Sequence, residues 1–299
     1  MSGEVERAAI ALYDRFTHEG MDRRDFMAAL TRLAGGAAAA ATLLSSVACH
    51  AAAAPLVAPD DPRIRSQELD WEARPGRAYR GYNAAPAGGR QGLPVVLVVH
   101  ENRGLNDHIR DVARRLAIAG FSAIAPDFLS PTGGTPANED QARTMIGQLD
   151  MAETVADGAA TIRWLASPQG GARKVGIVGF CWGGALVNRL AVASGGSLSA
   201  GVSFYGPAPD PSEAARVEAP MLVILAGQDA RVNATARPWV EALRAAGKDA
   251  RALEYPDVDH AFHNDTSQAR YNRQAAEQAW AATLSFFRRH LEGRRPFHG

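Results

Sequence analysis

Gly179-Phe180-Cys181-Trp182-Gly183-Gly184 joins the apolar run Lys174 to Phe180 directly to a segment with helical spacing, Trp182 to Ala193. Strand, tight turn and helix in that order make the nucleophile elbow G-x-S-x-G, here with cysteine in place of serine. The glycines matter because so sharp a turn has no room for nearby β-carbons and holds its central residue strained above the sheet. The positive end of the helix beneath the sulfur favours thiolate over thiol. A cysteine merely buried in a glycine-rich turn would be inert, but the strand before it and the helix after it argue for the reactive reading.

The same pattern extends in both directions. Leu93 to Val99, Phe121 to Ala125, Ala200 to Tyr205 and Met221 to Ala226 are also short, mostly apolar runs rich in Val and Ile, as expected of strands buried on both faces of a parallel sheet. Asp107 to Ala119, Met151 to Leu165, Ala234 to Ala246 and Arg270 to Arg289 carry helical spacing. Ala250 to Tyr255 reads as the last strand, and Ile64 to Trp71 and Ala78 to Tyr82 as short strands leading in. This alternation predicts right-handed crossovers and a doubly wound, mostly parallel α/β sheet with helices on both faces. Ligands of such sheets bind at the carboxyl ends of the strands, so polar residues following each run are the first candidates for chemistry.

Composition excludes several classes. The 299 residues carry 32 basic and 32 acidic side chains, a balance without the electrostatic footprint of a nucleic-acid binder. At 46% hydrophobic and 21% charged residues, the chain is globular rather than disordered, collagenous or coiled. Its two cysteines, Cys49 and Cys181, are too few for a disulfide scaffold or a thiolate zinc site.

A thiol nucleophile needs a base, and the base an orienting acid. His260 follows the last strand in Asp257-Val258-Asp259-His260, and Asp229 follows the run that ends at Ala226. Nucleophile, acid, histidine is the chain order of α/β-hydrolases. Asp257 and Asp259 are rival acids, but sequence neighbours seldom face one another's side chains, so Asp229 is preferred. The run ending at Val99 passes into His100-Glu101-Asn102-Arg103-Gly104-Leu105, which sets a carboxylate, Glu101, at the mouth of the sheet. The backbone N–H groups of Trp182 and Asn102 are the candidate oxyanion-hole donors. His100, Glu101, His260 and His263 could instead converge on a metal ion. The chain has no H-E-x-x-H and no cysteine-rich ligand spacing, and His260 is better used as the base, so neither a metal nor an organic cofactor is expected.

Together the elbow, the glutamate after the strand, Gly227-Gln228-Asp229 and His260-Ala261-Phe262 resemble the dienelactone hydrolase family, carboxymethylenebutenolidase-like enzymes of the α/β-hydrolase fold, from about Ala78 to the C-terminus. His100 to Asn106 with His260-Ala261-Phe262-His263-Asn264-Asp265 resembles a bacterial subgroup that often carries an N-terminal leader. The resemblance implies an ester or lactone hydrolase with Cys181, Asp229 and His260 as its triad, and Glu101 as a carboxylate that helps the thiol ionise when substrate arrives. It also implies attack of Cys181 on a carbonyl, an acyl-thioester, and its hydrolysis by water activated at His260. Family members hold the substrate's carboxylate with arginines, one after the second apolar run and one shortly after the histidine. Here Phe128-Leu129-Ser130-Pro131-Thr132 and His260-Ala261-Phe262-His263-Asn264 supply neither. Arg103, Arg231 and Tyr205 are the remaining candidates for substrate contact. The competing reading is a non-catalytic or thiol-redox relative with Cys181 as a sensor thiol, although no resolving cysteine lies nearby.

Ahead of this body, Arg23-Arg24-Asp25-Phe26-Met27 opens an Ala- and Leu-rich stretch reaching Ala54. Adjacent arginines before an apolar stretch suggest a twin-arginine export signal, which predicts use of that export machinery and a periplasmic product. Leu33 to Ala48 has the low charge of an h-region and falls short of the ~20 residues of a full span, while Ala48 and Ala51 to Ala54 offer cleavage sites. Val5, Ile10, Leu12 and Phe16 mark an amphipathic helix before the arginines. They support the other reading, an uncleaved helix packed on the body or anchoring it to a membrane. Ser46-Val47-Ala48-Cys49 hints at lipidation. Residues 1–54 thus read as an extension, 55–63 as a proline-bearing linker and 64–299 as the catalytic domain. The expected partner is a small-molecule ester or lactone, and no pattern encodes an oligomeric state.

Overall fold

The apolar runs form the middle of one eight-stranded sheet in the computed structural model, which describes residues 3–19, 21–47, 55–89 and 92–293. Strands β3 (Val95–Val99), β4 (Ser122–Pro126), β5 (Val175–Phe180), β6 (Ala200–Phe204), β7 (Met221–Ala226) and β8 (Ala250–Tyr255) run parallel. A hairpin of β1 (Ile64–Arg74) and β2 (Arg77–Pro86) joins β4 antiparallel, giving the order β1-β2-β4-β3-β5-β6-β7-β8.

Residues along a strand point alternately to opposite faces, and the two main cores follow that alternation. Val96 and Val98 pack with Val178, Val202 and Leu222 beneath α4 (Asp107–Ile118) and α9 (Arg273–Phe287). Val95, Leu97 and Val99 pack with Val175 and Ile177 beneath α6 (Met151–Ala166) and α7 (Trp182–Ala193), and also reach α8 (Ala230–Ala245). Each such buried aliphatic side chain is worth about 1.5–3 kcal/mol relative to exposure, which is why these strands tolerate no polar face.

Register positions the chemistry. β3 and β5 pair from Val95↔Val175 to Val99↔Gly179, so Glu101 and Cys181, each two residues beyond the last pair, emerge side by side at the carboxyl edge. Three boundaries differ from the sequence reading for identifiable reasons. The edge hairpin is longer than read, because its half-exposed strands alternate too weakly to show their length. Asp229 and Asn272 cap their helices by accepting from Val232 N and Ala275 N, so α8 starts earlier and α9 later than read, leaving Arg270 off the helix. Helix α5 (Glu139–Gly147) was not foreseen, since only Ala142 and Ile146 are buried along it.

The N-terminal residues fold as α1 (Gly3–His18), α2 (Arg23–Ala34) and α3 (Ala37–Val47) around a core of Ile10, Tyr13, Phe16, Phe26, Leu30 and Leu43. The bend between α2 and α3 is 109°, at Gly35, whose φ of +76° suits glycine. Among the described residues no single helix is long and apolar enough to cross a membrane, although this bent pair is so in length and composition. The cleavage sites at Ala48 and Ala51 to Ala54 and the lipidation site at Cys49 lie outside the described residues. Val57, in the linker, is clamped: its N–H donates to Asp111 Oδ1 at 2.9 Å, and its carbonyl accepts from Arg114 Nε at 2.7 Å.

Candidate active site

Cys181 has φ +56° and ψ −116° as the residue that caps α7, a strained conformation for a non-glycine residue. The glycines around it are required by close approach. A β-carbon on Gly179 would lie 2.3 Å from the carbonyl oxygen of Gly183, and one on Gly183 would lie 2.5 Å from those of Val99 and His100. Helix α7 therefore presses onto β3 and β5, and the sulfur is held at the carboxyl edge, 5% exposed.

His260 lies beyond β8 on a loop that carries it back over the elbow. Its Nδ1 stands 2.5 Å from Asp229 Oδ2, while Asp229 Oδ1 accepts from Val232 N at 3.1 Å. Asp229, rather than Asp257 or Asp259, is thus the carboxylate on the ring. Burial disfavours the charge on both partners. The hydrogen bond to His260 and its charge still hold the Asp229 carboxyl below the usual range. On His260, Cys181 and Asp229 together outweigh burial, and the ring is pushed up to about 10 by the charge of the sulfur, by hydrogen bonds to both partners and by the carboxylate. Sulfur, imidazole and carboxylate therefore act on one another. Tyr205, a candidate for substrate contact, is 0% exposed and meets the His260 ring edge-on at 5.0 Å, so it supports the imidazole.

Glu101 lines the same cleft, and its Oε2 accepts from Asn264 Nδ2 at 2.7 Å. His100 steadies the glutamate from behind: Phe128 N donates to Nε2 at 3.1 Å, which leaves Nδ1 to donate to the Glu101 carbonyl at 2.7 Å. The Trp182 indole stacks on His100 at 5.3 Å. Both nitrogens of His100 are engaged, so it is not available as a ligand. His263 is buried and stacked on Phe180 at 5.1 Å. Asn102, in the loop after β3, lines the cleft, and Trp182 opens α7 directly after Cys181; the first N–H groups of a helix have no partner within it.

The remaining lining is Arg103, Ala261 and Arg270 from the body, with Tyr13 and Thr17 from α1. Arg231 sits in the first turn of α8, outside this lining. Sequence reasoning missed four participants. Asn264 enters the sequence reading within the His260 to Asp265 motif without a role in the site, and Arg270 at the start of a helix. The Asn272 cap that frees Arg270 was the signal available. Nothing in the local pattern of α1 placed Tyr13 and Thr17 over the sulfur.

His263 makes a testable contribution to stability. Burial first, then the charges of Arg115 and His108, push its ring down to about 3, against the attraction of Asp265. An unfolded histidine titrates near ~6.5, so the unfolded chain takes up a proton that the folded chain refuses. Stability from this group is complete above that pH and drains away as pH falls towards 3, by up to about 1.4 kcal/mol per pH unit. His263→Phe is expected to flatten the fall in melting temperature between pH 6.5 and 4; an unchanged slope would assign the fall to other groups.

Strand order, elbow and site at the carboxyl edge define an α/β-hydrolase. The Dienelactone hydrolase family model matches residues 79–291, and the chain belongs to that family. A Salmonella typhi protein named "Putative carboxymethylenebutenolidase" is 33% identical over 220 residues, 69% of this chain and 81% of the relative. The crystal structure of a Klebsiella pneumoniae protein, "Putative Dienelactone Hydrolase", is similar at 31% identity and a TM-score of 0.65, over 75% of this chain and 98% of that one. A dienelactone hydrolase-like promiscuous phosphotriesterase from metagenomic libraries is similar at 26% identity and a TM-score of 0.67, over 76% and 99%. The protein is a dienelactone hydrolase-like hydrolase.

Proposed function

We propose that this hydrolase cleaves carboxylic esters or lactones with Cys181 as nucleophile, His260 as base and acid, and Asp229 as the orienting carboxylate. The observation that carries this reading is the Asp229–His260 contact of 2.5 Å beside a sulfur held on a strained elbow. The thiolate adds to the carbonyl carbon, and the negative charge on oxygen is received by the N–H groups of Trp182 and Asn102. The C–O bond to the leaving group breaks as His260 delivers its proton to that oxygen. His260 then takes a proton from water, whose oxygen attacks the acyl-thioester and returns free Cys181 and a carboxylic acid. Thiolate is itself a good leaving group, so the intermediate goes forward only when the other leaving group is comparably stable. Enol and aryl esters should therefore outrun alkyl esters. Glu101, held by Asn264, acts on the thiol before acylation. Arg103 is the candidate side chain for substrate contact within the cleft.

The test is rapid quenching of a para-nitrophenyl acetate reaction followed by mass measurement of the peptide that contains Cys181. An acetyl adduct that forms and decays at the turnover rate is expected, and Glu101→Gln should form it more slowly at an unchanged melting temperature. Turnover without any adduct would exclude the covalent mechanism.

For location, we propose export through the twin-arginine route. Arg23, paired with Asp140, and Arg24, 3.9 Å from Asp25, stand at the start of α2 with side chains 63% and 89% exposed, an exposure that supports recognition by a receptor able to displace these surface pairs. Replacing both by lysine should retain the protein inside the cell; equal periplasmic recovery would refute the assignment.

A further inference from the structure

The cleft over Cys181 measures about 20 Å³, room for a water molecule or so, whereas sites for small organic ligands span about 300–1,000 Å³. Helix α1 supplies part of its lining. Tyr13 and Thr17 line it, the Tyr13 hydroxyl accepts from Arg103 Nη2, and Asp14 Oδ1 lies 3.7 Å from Arg270 Nη1. Next to these contacts the carbonyl of Phe16 accepts from Arg143 Nη1 at 2.7 Å and that of Thr17 from Asn102 Nδ2 at 3.4 Å. At the far end of the N-terminal helices, Ala269 N donates to the Ser46 carbonyl at 3.0 Å and Ser267 Oγ to that of Val47 at 3.1 Å. The helices thus grip the loop between His260 and α9 as well as the cleft.

We propose that α1 is an intramolecular plug, latched by Tyr13 on Arg103 and Asp14 on Arg270, and that Cys181 becomes accessible to an ester only when α1 is displaced or the N-terminal helices are removed. The proposal rests on the ester-hydrolase reading for its substrate, but not for the closure itself. The latch is built to release. Asp14 Oδ1 is buried without a hydrogen bond among the described residues, so it holds Arg270 by an ion pair at 3.7 Å rather than by a charge-assisted hydrogen bond, the weaker of the two attachments. The plug also coincides with the segment read as an export leader, so loss of that segment would open the cleft.

The experiment uses the full chain with Cys49→Ser, so that iodoacetamide reports on Cys181 alone, and measures alkylation and para-nitrophenyl acetate hydrolysis in parallel. Tyr13→Phe with Asp14→Asn removes both latches while keeping the aromatic packing on Phe16 and Phe26. Tyr13→Ala with Phe16→Ala loosens α1 further. Melting curves check that each variant is folded. Both rates are expected to rise by about tenfold or more, the scale of one lost charge-assisted hydrogen bond. Alkylation no faster than in the parent chain in either pair overturns the plug, even if the parent hydrolyses the ester. Faster alkylation without ester hydrolysis retains the plug and overturns the ester reading.

Discussion

His260→Ala is expected to lower kcat/KM for para-nitrophenyl acetate by about 10⁴-fold or more, the scale on which a nucleophile–base unit fails when one member is removed. The proposed mechanism uses this ring twice, to protonate the leaving oxygen and to activate water. His260 is 2% exposed, so the variant also leaves a void beside Tyr205 and strands the Asp229 carboxylate with its Val232 bond. Some loss of stability will accompany the loss of activity, and the two are separated by measuring turnover well below the variant's melting temperature. The comparison is made both in the parent chain and with α1 loosened, so that a closed cleft cannot mask the difference. A variant that keeps more than a tenth of the parental kcat/KM would remove His260 from the mechanism.

Asp229→Asn should cost about 10³- to 10⁴-fold, because an amide cannot hold the ring as a carboxylate does and presents a donor where an acceptor is needed. The geometry adds a second, more selective expectation. The hydrogen bond to Asp229 and its charge are among the contributions that push His260 up to about 10 against burial. With the folded value above the ordinary histidine value near ~6.5, the protonated ring favours the fold fully below that pH, and this contribution is lost as pH rises through the folded value. Asp229→Asn removes part of the elevation. Both the alkaline fall in activity, which tracks the coupled sulfur–imidazole pair, and the alkaline fall in melting temperature should therefore move to lower pH. A variant that lost activity uniformly at every pH would assign Asp229 a purely structural role.

The elbow, the alternation of runs and helices, and the order nucleophile, acid, histidine are all readable without coordinates, because each is a local pattern. A strand buried on both faces must be apolar throughout, and a turn with no room for β-carbons must be glycine. The preference for Asp229 over Asp257 and Asp259 rests on chain order, on its position after a strand and on the rule that neighbours seldom face each other; the structure puts Asp229 Oδ2 2.5 Å from His260 Nδ1. Arg270 and Asn264 were not readable as site residues. Their roles depend on where the loop after His260 turns back, and that turn is set by the Asn272 cap and by contacts with Ser46 and Val47 at the end of α3.

Sequence alone thus determined that this chain builds a parallel sheet with a cysteine on its carboxyl edge, since periodicity and steric exclusion act over a few residues and leave a legible trace. Only the tertiary structure decided that residues near position 13 line the same cleft as a sulfur at position 181. The apolar spacing of α1 says that one face must be buried but not against what, because packing energy depends on apolar area rather than on partner identity. The partner is selected by the summed fit of Tyr13, Asp14 and Phe16 to Arg103, Arg270 and Arg143, side chains far apart along the chain and neighbours only after folding.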